Sequence, residues 1–126
     1  MLEEGGKRLA KYCRTRAGEK LRSVTVYRSD STTQVYRREG LRAEYQDEQV
    51  AALVRSARDL NTTLHETEIE EAPLGPPVAG VYAFEDAFVI QLPADESSGV
   101  VATFDADVGA DLATFIDDCQ RAFLGE

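Results

Sequence analysis

Between Val81 and Phe104 the chain carries three short runs that are apolar on both alternating sides, and this pattern constrains the fold most. Phe88, Ile90 and Leu92 fall on one side of the second run, and Ala87 and Val89 on the other. A strand apolar on both sides belongs in a sheet that is covered on two faces. Val81–Phe84 and Ala87–Leu92 flank the acidic pair Glu85-Asp86, which reads as a hairpin turn between β-branched and aromatic segments. The polar turn Ala94–Gly99 leads into a third strand, Val100–Phe104. Val108, Leu112, Phe115, Ile116, Cys119 and Phe123 then recur at helical spacing, which predicts a last helix ending near Leu124 with one face buried.

Upstream the pattern is more polar. Leu2, Leu9, Tyr12 and Cys13 predict a first helix over Glu3–Ala17, weakened by Gly5 and Gly6 and stopped by Gly18. Leu21–Arg28 and Thr33–Arg38 alternate as strands around the turn Ser29–Thr32, giving an edge hairpin with one solvated side. Val50, Leu53, Val54, Ala57, Leu60 and Leu64 fall at steps of three and four, so a helix is predicted over Asp47–Thr63 with Gln46 or Asp47 as its N-cap. Glu66–Ala79, with four glutamates and then Pro73, Pro76 and Pro77, reads as a surface loop between halves. The expected architecture is one α+β domain over residues 1–126, in the order α-β-β-α-β-β-β-α. It is a five-stranded antiparallel sheet with helices on both faces.

At 126 residues a single domain buries about two thirds of its unfolded surface, so no disulfide or metal staple is required. Cys13 and Cys119 both fall on or beside apolar stripes and are expected as small buried hydrophobes. No apolar run approaches the ~18 residues that a membrane-spanning helix needs, and the first residues lack the order of a signal peptide, so a cytoplasmic protein is expected.

Charge is the most informative bulk property. The chain has 14 basic and 23 acidic side chains and a net charge of −9. Only Lys7, Lys11 and Lys20 are lysines. Such a surface strains the compact state by self-repulsion, which molar salt removes by shortening the Debye length to ~3 Å, so a high-salt medium is implied. Residues 1–42 hold 11 basic and five acidic side chains, the remainder 3 and 18, so the sequence is a dipole along its length.

The element order is similar to the roadblock and profilin-like layered folds, a likeness that implies a regulatory or scaffolding module that dimerises. At residue level, Val35-Tyr36-Arg37-Arg38, Tyr45, the run Val81–Pro93, Gly99-Val100-Val101, Phe104-Asp105 and the last helix with Cys119 resemble a family of small uncharacterised haloarchaeal proteins. That resemblance supports salt adaptation and implies no activity.

Few constellations carry chemistry. Asp105, Asp107, Gly109 and Asp111 suggest a hard-cation loop, but Gly109 stands where an EF-hand needs a ligand and Ile116 where it needs a glutamate, so Asp107 is expected to cap the last helix instead. Two cysteines and His65 make a poor zinc set, and no nucleophile elbow or phosphate loop is present. Neither a metal nor another cofactor is expected.

The sharper candidates are Arg28, Tyr36, Arg37, Arg38 and Arg42, which interleave cations with aromatics on and after the first hairpin, a composition that holds phosphate or stacks bases. Nucleic acid is disfavoured, because salt erodes phosphate contacts and the acidic half repels a polyanion. Pairing of the arginines with the chain's own carboxylates is the expected outcome. The reading that results is a noncatalytic regulatory or protein-interaction module acting as a homodimer or with a protein partner. The alternative is a small-ligand or nucleic-acid binder that uses the arginine hairpin. An enzyme ranks last for want of a paired general acid and base.

Overall fold

The computed structural model of the chain describes residues 1–40, 43–66 and 75–125. Helix α1 spans Leu2–Ala17, strands β1 and β2 span Leu21–Tyr27 and Thr32–Arg37, and helix α2 spans Ala43–Glu66. Strands β3, β4 and β5 span Gly80–Ala83, Phe88–Pro93 and Gly99–Phe104, and helix α3 spans Ala110–Leu124. Short 3-10 turns, Gly18–Lys20 and Ala106–Gly109, precede β1 and α3. The fold is α+β in the order expected from the sequence.

All five strands form one antiparallel sheet in the order β2-β1-β5-β4-β3. β1 and β5 are central and the most buried. Along β1, Val24 packs towards α1 and Tyr27 towards α2, each fully buried. A fully buried valine or leucine contributes roughly 1.5–3 kcal/mol relative to exposure, so these alternations hold the two layers on. In the β1–β2 ladder Val24 faces Tyr36 and Thr25 faces Gln34, which leaves Val35 as an extra residue. This bulge turns both Val35 and Tyr36 towards the α1 layer, where a regular strand would alternate them.

Helix α1 begins with Glu3 and Glu4 and ends with Arg14 and Arg16, the charge order that its dipole favours. Gly6, expected to weaken the helix, is where it approaches the sheet. A Cβ there would lie 2.9 Å from Val26 Cγ1 and 3.0 Å from Val35 Cγ2.

Helix α2 covers the opposite face, with Val50, Val54 and Ala57 against Tyr27, Val89 and Val101. It starts four residues before the expected Asp47, so Gln46 and Asp47 lie inside it. Under α2 the core is partly polar. Gln91 donates to the Tyr27 hydroxyl (2.9 Å) and to the Ala57 carbonyl (3.0 Å), and it accepts from the Tyr82 hydroxyl (2.9 Å). Leaving any of these buried groups unpaired would cost about 1–3 kcal/mol. Burial pushes the Tyr27 and Tyr82 phenols upward.

The last helix departs from expectation. Its limits match the apolar spacing, but no residue of α3 is buried, and its substantial contacts are with the 3-10 turn before it. Phe115 is 64% exposed and Phe123 88%. Cys119 is exposed, whereas Cys13 is buried as expected, and burial raises its thiol pKa. The 3-10 turn Ala106–Gly109 passes directly into α3 at Ala110. Asp107 does not cap α3. Gly109 is the N-cap, with no side-chain cap.

Candidate interaction surfaces

The hairpin arginines separate into different environments. Arg28, at the end of β1, forms a two-pronged pair with Glu3 of α1, Nη1 to Oε2 at 2.7 Å and Nη2 to Oε1 at 2.8 Å. That guanidinium, followed by a local backbone hydrogen bond, draws the Glu3 carboxyl down to about 2, and the Arg28 pKa rises in return. Arg38 donates to Asp105 Oδ2 at 2.9 Å and to the Glu19 carbonyl at 2.8 Å, joining β2 to the corner after β5. Arg14 of α1 lies 5.3 Å above the Tyr36 ring, a cation–π contact that turns Tyr36 inward. Arg42 lies outside the described residues. Among the described candidates, Arg28, Tyr36 and Arg38 therefore lie in separate environments.

Arg37 alone of the described arginines of the hairpin lines a cleft. The cleft has a volume of about 630 Å³ and lies between β2 and α2, with Gln34, Thr32 and Thr25 on the sheet side and Val50 and Ala51 on the helix side. Thr25 Oγ1 at its floor is buried and has no hydrogen-bond partner among the described residues. Adjacent strand residues face opposite sides, and accordingly Arg37 belongs to the α2 side while Arg38 reaches the β5 corner.

The aspartate run after β5 is committed internally. Asp105 is held by Arg38, and Asp107 by Lys20 at 2.6 Å. The hydrogen bond from Lys20 lowers the Asp107 pKa and raises that of Lys20. Among the described residues no group of three His, Cys, Asp or Glu side chains could hold a metal ion. His65 Nδ1 lies 2.9 Å from the Asn61 carbonyl, in the last turns of α2. Part of the predicted Glu66–Ala79 loop, residues 67–74, lies outside the described residues. Among the described residues no helix is long and apolar enough to cross a membrane.

Helix α3 is the surface that sequence reasoning placed wrongly. Leu112, Phe115, Ile116 and Phe123 share one side and are all exposed. Helical spacing reports that such a stripe exists, not which surface covers it.

The molecule is thus defined as an α+β domain with a five-stranded antiparallel sheet, a helix on each face and a third amphipathic helix whose apolar side is uncovered among the described residues. The chain belongs to the family described as Domain of unknown function (DUF7522), which matches residues 7–124. No curated protein and no solved structure matches it.

Proposed function

We propose that the protein is a noncatalytic regulatory or protein-interaction module of a salt-adapted cytoplasm, acting as a homodimer. The observation that carries this reading is the open apolar side of α3. Isolated exposed apolar residues are ordinary on a soluble domain, but a contiguous stripe with two phenylalanines marks an interaction surface. The likeness of the element order to roadblock and profilin-like modules supports the same reading, as does the resemblance to haloarchaeal proteins with their acidic, lysine-poor composition. Light scattering over a range of protein concentrations tests it. A dimer mass is expected for the wild type, with association weakened at least tenfold in Phe115→Ser/Phe123→Ser and the melting of the monomer unchanged. A wild type that stays monomeric at high concentration overturns the reading.

The cleft beside Arg37 favours a second reading, that of a small-ligand binder. Its volume is within the roughly 300–1,000 Å³ of ligand sites, and it combines a cation with an unpaired buried hydroxyl. Inorganic phosphate and nucleotides would be the probes in a thermal-shift experiment. A rise in melting temperature that is lost in Arg37→Ser supports this reading, and no shift with any probe removes it.

A further inference from the structure

We propose that α3 of one copy lies across the sheet of a second copy, over β4 and β3 and alongside α1, and that the exchange is reciprocal. The inference rests on the homodimer reading and specifies its contacts. Its first support is that the same chain carries both halves of the interface uncovered. On the α1 side of the sheet, α1 packs over β1 and β2 with a lesser contact on β5, and among the described residues no helix packs substantially on β4 or β3. The register puts Val81 beside Ile90 and Leu92 beside Val100 on that side. Val81 is 47% exposed and Leu92 36%. A groove of about 310 Å³ runs between this strip and α1, bordered by Leu2, Leu9 and Arg8 on the helix and Leu92 and Val100 on the sheet.

The second support is charge. Asp111 and Asp118 lie seven residues apart on one flank of the α3 stripe, about 10 Å along the helix axis. Arg8, which borders the groove, and Arg16 lie eight residues apart on one flank of α1, about 12 Å. Arg16 is held in place over the Tyr12 ring, with a hydrogen bond to its hydroxyl at 3.3 Å. Among the described residues none of these four charges has an opposite charge paired with it. An α3 laid in the groove brings the two acids against the two arginines at matching spacing while its apolar stripe meets Val81, Ile90 and Leu92.

The 3-10 turn before α3 is held because Gly109 sits on the Phe88 ring, where a Cβ would collide with the ring carbons, and α3 leaves it with its apolar side exposed. The area also suffices. With ~200 Å² for a phenylalanine, covering Phe115 and Phe123 alone hides roughly 300 Å² per copy. The other stripe residues and the facing sheet, counted over two copies, bring the total into the range of about 1,200–2,000 Å² of a specific interface.

The test uses two full-length variants, Arg8→Glu/Arg16→Glu and Asp111→Arg/Asp118→Arg, at the lowest salt at which circular dichroism shows the wild-type fold. Each alone is expected to dissociate at least tenfold more readily than the wild type. Their equimolar mixture is expected to regain the dimer mass, because each exchanged contact then again pairs opposite charges. A wild-type dimer that the Arg8→Glu/Arg16→Glu variant retains at full strength places the contact elsewhere, such as α3 against α3, and overturns this inference while leaving the homodimer reading intact. Failure of the mixture to regain dimer mass also overturns it. A wild type monomeric throughout overturns both. If either reversal unfolds the chain, Arg8→Gln/Arg16→Gln replaces it, with about threefold weaker association expected and unchanged association overturning the proposal.

Discussion

Glu3 and Arg28 tie the start of α1 to the end of β1, and their pairing adds a small pH-dependent contribution to stability. The Glu3 carboxyl, ordinarily near 4.5, titrates at about 2 in the folded chain. A folded-state pKa below the unfolded one means that the pair stabilises above pH 4.5, and that this contribution is lost as pH falls from there towards 2. Both groups are partly exposed, so salt screens the effect. Melting curves between pH 7 and pH 2 are expected to show Glu3→Gln below wild type at neutral pH and the difference closing near pH 2. A constant offset across that range would argue against the linkage. Arg28 and Arg38 were legible as candidates because cations and aromatics alternate on one hairpin. Their partners were not, since Glu3 lies 25 residues from Arg28 and Asp105 lies 67 from Arg38. Those contacts depend on how α1 sits on the sheet and where β5 ends, which spacing along the chain does not encode.

At the level of elements, five strands and three helices were readable because two-sided strands and helical stripes have distinct periods. What periodicity could not supply was the partner of each stripe. For α1 and α2 the sheet is the partner, whereas the same kind of stripe on α3 stays exposed. Two closely packed glycines were opaque for a related reason: Gly6 read as a weakness in a helix, and Gly109 as a failed metal ligand. Gly109→Ala is expected to destabilise the fold by about 1–3 kcal/mol in urea unfolding, because the methyl drives into the Phe88 ring. Trimming the ring in Gly109→Ala/Phe88→Leu should cost less than the two single changes added together. Simple additivity would show that the two residues do not press on each other.

For the whole molecule, the sequence dipole folds into contact with itself. Lys20 and Arg38 from the basic third meet Asp107 and Asp105 at the corner after β5. These pairs account for few of the 23 acidic side chains. The remaining repulsion is expected to make the melting temperature climb from dilute buffer to molar NaCl, and a flat profile would remove the salt-adapted reading. The Val35 bulge bears on a different collective property. An outermost strand presents a row of open backbone donors and acceptors on which another chain can template itself, and growth by that route has no natural end. At β2 the surplus residue bends the backbone and shifts that row by one position, so an incoming extended segment cannot stay in step along it. Filamentous growth is thereby discouraged at this margin, whereas a two-fold exchange of helices is complete at two subunits.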